Sequence, residues 1–163
     1  MTSFIVDAML GKLALWLRLA GHDTIYSTEI HDDDLLDIAE REGRVLLTAD
    51  AELHSRAQES GIESRLLRGN VDDRVAMVFK EFNIPPLIDP SESRCSKCNG
   101  VLEKIDESEK EKIRDLVHEQ TFNHYDVFWL CRDCNGVYFQ GGQWENIKEY
   151  MDRIRNLIDH EIN

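Results

Sequence analysis

The sequence predicts an α/β protein. A parallel sheet flanked by helices is expected over residues 1–84, a linker over 85–93, and a small cysteine-bearing module ending in a long helix over 94–163. Three observations predict it. From residue 4 to about 83, short apolar runs alternate with amphipathic stretches, the pattern of βα units in a parallel sheet. Pro85-Pro86 breaks that rhythm, and residues 88–93 read as connecting chain. All four cysteines then fall between 95 and 134, where the composition changes.

Phe4-Ile5-Val6 is an apolar run that ends on Asp7, the first strand. From Met9 the period becomes helical, with Leu10, Leu13, Ala14, Leu17 and Ala20 recurring at three- and four-residue steps and Trp16 beside them. Gly21 follows where a helix end often turns left-handed, and Lys12 and Arg18 are that helix's only charges. Residues 23–28 are β-branched and aromatic, a second strand. His31 and Asp32 to Asp34 open a helix carrying Leu35, Leu36, Ile38 and Ala39, with one of the three acids expected as its N-cap.

Gly43 closes that helix. Residues 45–48 are apolar or β-branched and are followed by Asp50, Glu52 and His54. A run of that length between turn signals suits a parallel strand covered on both faces. Residues 52–60 form a short polar helix and 65–68 a fourth strand. Asp72 is expected to cap an amphipathic helix bearing Val75, Val78, Phe79 and Phe82. Beyond the linker, residues 105–119 are mostly charged, a surface helix or loop, and 125–130 and 137–140 read as strands. Residues 144–162 form a terminal helix with Ile147, Met151, Ile154, Ile158 and Ile162 at nearly a/d spacing. It would dock on the first domain or pair with a second copy as a homodimer.

The 163 residues are 42% hydrophobic, enough for a packed core. Net charge is −13, from 32 acids against 19 Lys and Arg. A chain that grips nucleic acid by charge alone would be basic. Any such contact here is confined to a small basic patch, and the acids either solvate the surface or gather for cations. There is no run of 18 apolar residues, hence no expected membrane span. The opening residues lack a basic stretch before their apolar run, so no signal peptide is read and a cytoplasmic location is expected.

Cys95-Ser-Lys-Cys98-Asn-Gly and Cys131-Arg-Asp-Cys134-Asn-Gly repeat one pattern. Thiolates two residues apart can meet a single ion, and four around one ion make the closed site of structural zinc. The glycine after each pair is expected to supply the positive φ that turns N–H groups toward sulfur. Two disulfides and an iron site with the same ligands are the competing readings. With all four positions taken by protein, the metal would hold the fold together and do no chemistry.

Asp7 ends the first strand, Asp50 follows the third, and Asp33 and Asp34 begin the helix after the second. In a parallel sheet these ends open on one side, where ligands bind. Converging carboxylates repel unless a cation neutralises them, and Mg²⁺ and Mn²⁺ prefer oxygen ligands. One or two such ions can activate water for phosphodiester hydrolysis. Glu52 would join this cluster or hold a water, and Thr48 would orient Asp50. Lys12, Arg18, Arg65 and Arg68 are candidates to meet phosphate. For each acid the competing reading is a helix cap or turn. His22, His31 and His54 lack ligand spacing and read as surface or cap residues. Phe128, Trp129, Tyr138, Phe139 and Trp144 read as ribbon packing, with base stacking as the alternative.

The chain resembles the Mut-seven C-terminal RNase-like family, a PIN-like domain with an appended zinc ribbon. The resemblance rests on residues 4–21, on 33–50, on Cys95-x-x-Cys-Asn-Gly, on Cys131-x-x-Cys and on Gly141 to Trp144. It implies a metal-dependent ribonuclease cleaving RNA, with Asp7, Asp33 or Asp34, and Asp50 as its acids, and zinc on Cys95, Cys98, Cys131 and Cys134. Two positions depart from the pattern. The first helix carries no acid, the next candidate being Glu29, and Gly-Gly-Gln143-Trp stands where Gly-Ser-His-Trp is expected.

A non-catalytic module binding RNA or protein through the ribbon is the rival reading. A receiver domain would need an acidic pair after the first strand, where Asp7 is followed by Ala-Met. No G-x-G-x-x-G follows that strand to bind a dinucleotide.

Overall fold

The computed structural model describes residues 1–161. Strands β1 (Phe4–Val6), β2 (Thr24–Tyr26), β3 (Val45–Thr48) and β4 (Ser64–Leu66) form one parallel sheet in the order β2-β1-β3-β4. A 3₁₀ turn, Ala8–Leu10, leads into α1 (Gly11–Leu19); α2 (Asp32–Glu42), α3 (Ala51–Glu59) and α4 (Val71–Glu81) follow strands two to four. Strand alternation sorts the core into two layers. Phe4, Val6, Val45 and Leu47 pack with α1 and α4, while Ile5 and Leu46 pack with α2 and α3. Both faces are covered, which is why β1 and β3 are buried throughout and apolar except for Thr48.

The chain leaves β1 for β2 on one side, then crosses back to β3 on the other. The strand order therefore reverses between β1 and β3, the point at which open α/β sheets bind ligands beyond their strands' carboxyl ends.

The cysteine module is an antiparallel sheet of β5 (Leu102–Ile105), β6 (Phe128–Cys131) and β7 (Val137–Tyr138). β5 was not legible: Glu103 and Lys104 sit between its two apolar residues, so neither helical nor alternating period stands out. The charged stretch after it is a 3₁₀ segment, Glu107–Leu116, followed by α5 (Glu119–His124). Together they close over a small core of Ile105, Ile113, Phe122, Phe128 and Leu130.

Helix α6 (Gly142–Glu161) starts at this module and packs back on the core that α1 and α4 share with the parallel sheet. Met151 and Ile154 are buried in the same core as Phe4 and Val6, with Ile147 and Ile158 packed against it. Ile162 lies outside the described residues. Trp16 and Tyr150 stack with centroids 4.1 Å apart and planes 5° from parallel. Of the two roles open to this helix, docking on its own chain is the one observed. The apolar stripe expected to reach a second copy is covered from within.

Helix caps fall elsewhere than expected. Asn70 caps α4 in a reciprocal pair with Asp73, because Asn70 directly precedes the first helical turn. Asp72 instead accepts a 2.9 Å hydrogen bond from the Tyr150 hydroxyl and pairs with Arg153 at 3.1 Å. His31 occupies the cap position of α2 without a side-chain bond, and Asp32, Asp33 and Asp34 lie inside the first turn. There their charge favours the positive end of the helix.

Candidate functional site

The register Val6↔Leu47 between parallel neighbours carries Asp7 to the level of Thr48 at the carboxyl rim. Thr48 is fully buried, and its hydroxyl does two things at once. It donates to Oδ2 of Asp7 at 2.9 Å and accepts the N–H of Asp50 at 3.0 Å. Asp50 caps α3, its Oδ1 accepting the N–H groups of Glu52 at 2.9 Å and Leu53 at 3.2 Å. Among the described residues, Oδ1 of Asp7 and Oδ2 of Asp50 have no hydrogen-bond partner. Asp7 and Asp50 thus flank the switch point and share Thr48, each with one oxygen engaged.

Asp33 and Asp34, adjacent in the first turn of α2, are engaged differently. Asp33 is ion-paired with Arg56 of α3. Asp34 is exposed in the first turn of α2 and has no ion pair among the described residues. Glu52 is exposed in the first turn of α3, and Lys12 in that of α1, the turn nearest Asp7. Among the described residues these acids form no set of three with oxygens within 4.8 Å of one another.

Arg18 does not lie at this rim. It sits in the last turn of α1, which has returned to the strands' amino ends, and it is 7% exposed. Its Nε donates to the Thr24 carbonyl at 3.0 Å and its guanidinium to the Ser96 carbonyl at 3.1 Å. Burial lowers its pKa, opposed by the nearby Cys95, Cys98 and Asp23. Arg65 is also spent, on Glu81 and Glu63. Of the histidines, His22 is buried, its Nδ1 2.8 Å from the Thr2 carbonyl, and His54 lies 2.8 Å from the Ser64 hydroxyl.

The four cysteines are the one set of three or more metal-ligating atoms within 4.8 Å of one another among the described residues. All four are free thiols. Sγ of Cys95 is 3.6 Å from that of Cys134, and Cys98 is 3.4 Å from Cys131. A tetrahedron with Zn–S bonds of about 2.3 Å has edges of about 3.8 Å, so the cluster fits zinc closely. Two equivalent turns build it. The N–H groups of Asn99 and Asn135 bond the carbonyls of Cys95 and Cys131, each at 2.8 Å.

The positive φ falls on those asparagines, at 72° and 61°, and not on the following glycines as the sequence suggested. Asparagine tolerates that region. The glycines serve another need: a Cβ on Gly100 would lie 2.8 Å from Sγ of Cys131. Burial opposes charge on Cys95, but the Tyr138 hydroxyl and the N–H groups of Cys98 and Lys97 overcome it, bringing the thiol down to about 7. Desolvation inside the cluster, with the neighbouring sulfurs, pushes Cys98 up to about 12. Crowded thiolates of this kind are stabilised by a bound cation.

A joint between the two parts escaped sequence reasoning. Asn99 accepts the N–H of Thr24 at 3.0 Å and donates to Asp23 at 2.7 Å, while Arg44 reaches Asp23 at 3.0 Å. One of the two cysteine turns is thereby fastened to the sheet's amino edge. No spacing signal could have found it, because the partners lie 76 residues apart.

A family model described as Mut7-C RNAse domain matches residues 2–151. No curated protein and no solved structure matches the chain.

Proposed function

The chain belongs to the Mut7-C RNase domain family, and from that premise we propose that it is a PIN-like ribonuclease that depends on a divalent cation. The observation that carries this reading is the Thr48 hydroxyl, which ties the Asp7 carboxylate to the Asp50 backbone at the switch point. Asp7 and Asp50 would hold the cation, each with an oxygen to spare. Asp34 is the third candidate, since Arg56 already engages Asp33. Bound magnesium or manganese would neutralise these acids, supply an activated water and stabilise the leaving oxygen of a phosphodiester. Glu52 would orient that water, and exposed Lys12 would meet a phosphate of the RNA.

The division into a nuclease domain (1–84), a linker (85–93) and a zinc ribbon with terminal helix (94–163) belongs to the same proposal. The ribbon's zinc is structural in it, held by Cys95, Cys98, Cys131 and Cys134.

The test is manganese-dependent cleavage of single-stranded RNA by wild type and by Asp50→Asn. Asparagine caps a helix as well as aspartate does, so the fold should survive while the charge is lost. Cleavage by wild type and at least a hundredfold less by the variant is expected, about 2.7 kcal/mol of transition-state stabilisation. Equal cleavage removes Asp50 from the chemistry. A second reading, a non-catalytic RNA- or protein-binding module, draws on the absence of any acid from α1. RNA bound but uncut with every divalent ion would establish it.

A further inference from the structure

A groove of about 760 Å³ runs between α1, the ribbon and the first turns of α6. All three tryptophans of the chain, Trp16, Trp129 and Trp144, line it, together with Tyr138, Phe139 and Tyr150. Its size falls within the range of about 300–1,000 Å³ that small ligands occupy.

Three observations say what belongs there. First, five of these six rings keep part of their surface exposed, and the sixth, Trp129, is 5% exposed with its indole N–H shielded and without an acceptor. Half-buried rings beside an unsatisfied donor suit a planar ligand that carries acceptor oxygens, although Trp16 and Tyr150 already cover one face of each other. Second, the groove keeps one cation for a phosphate. Its charged lining residues are Lys97, Arg153 and Glu149, and Arg153 is paired with Asp72 at 3.1 Å. Lys97 is exposed and makes no ion pair among the described residues.

Third, the groove's α1 wall, Leu15, Trp16 and Leu19, belongs to the helix that begins beside Asp7. Trp16 lies four residues after Lys12, so both are on one face of α1, about 6 Å apart along its axis. A strand following that face out of the groove would pass Lys12 on the way to the acids. Aromatic rings for bases, with a few cations for phosphates, are how proteins hold single-stranded nucleic acid without reading its sequence.

We propose that this groove binds a short single-stranded segment of RNA, its bases against the aromatic rings and a phosphate at Lys97, and feeds the strand toward the acids. The choice of RNA rests on the ribonuclease reading; the groove itself does not.

The test measures binding of a short, unstructured, labelled uridine oligonucleotide to the zinc-loaded full chain by fluorescence anisotropy, with no magnesium or manganese added. Trp129→Phe keeps a ring of similar shape but removes the indole N–H. Lys97→Gln changes only an exposed side chain. Each should weaken binding about five- to tenfold, with zinc content and far-ultraviolet circular dichroism unchanged. Lys97→Gln should also lower the slope of log affinity against log salt by about 1, which a merely structural change would not do. Asp50→Asn should bind as wild type does, so loss of cleavage and loss of groove binding are read separately. No binding by wild type overturns the proposal. So does unchanged binding in both groove variants, the result expected if the groove takes a protein segment instead.

Discussion

The hydroxyl of Thr48 donates a 2.9 Å hydrogen bond to Oδ2 of Asp7, joining the ends of two strands that are 41 residues apart in the chain. A buried hydroxyl donating to a carboxylate is worth about 1.5–3 kcal/mol. Because the same oxygen accepts the Asp50 N–H, the position of one acid depends on that of the other.

Thr48→Val should therefore lower the melting temperature and weaken manganese-dependent cleavage, while Thr48→Ser should restore most of both. The valine variant loses about 1.5–3 kcal/mol, seen as a shifted urea midpoint with an unchanged slope. If valine melts and cleaves like wild type, Thr48 does not organise the rim.

The purified chain should carry roughly one zinc, as a four-thiolate site requires. Stripping it with a chelator should unfold the ribbon core around Ile105 and Phe128, and near-ultraviolet dichroism would report Trp129 directly. Gly100→Ala should reduce zinc affinity at least tenfold, since its methyl would press on Sγ of Cys131. A folded, metal-free ribbon would refute the assignment.

Asp23 links stability to pH. Partial burial works to raise its pKa, but hydrogen bonds from Arg44 and Asn99 prevail and hold it below the usual value of 3.8. A depressed carboxylate stabilises the fold above its unfolded pKa, and that share is lost as pH falls through the folded pKa. Its side chain is 39% exposed, so the screened contribution is modest, about 1 kcal/mol. Asp23→Ala should thus be less stable than wild type at pH 7, with the gap closing below about pH 4. A gap of constant size across that range would mean the Asp23 charge does not matter.

Ile154→Ala should cost about 2–4 kcal/mol, because this fully buried side chain fills the core beneath α6. Tyr150→Phe should cost about 0.5–1.5 kcal/mol through the lost bond to Asp72. Light scattering should give the mass of one chain for wild type, since α6 spends its apolar face internally. Dissociation of a wild-type dimer by Ile154→Ala would contradict that.

The repeated Cys-x-x-Cys-Asn-Gly, the βα rhythm and the run ending at Thr48 were all legible because each depends on local spacing. Even so, the sequence offered both Asp33 and Asp34 of the acidic triplet to the site, and only the fold shows Arg56 of another helix engaging Asp33. Arg18 misled for a similar reason: its charge suggested phosphate, but three-dimensional placement put it against carbonyls at the far edge.

By itself the sequence determined the alternation of strands and helices, the four thiol positions and the chemical types at the strand ends, since periodicity and spacing are properties of neighbours along a chain. Only the tertiary structure decided that β1 and β3 lie side by side, that Thr48 joins Asp7 to Asp50, and that α6 returns to the first core. Those outcomes depend on burying apolar surface and satisfying polar groups across the whole molecule, and no local pattern encodes them.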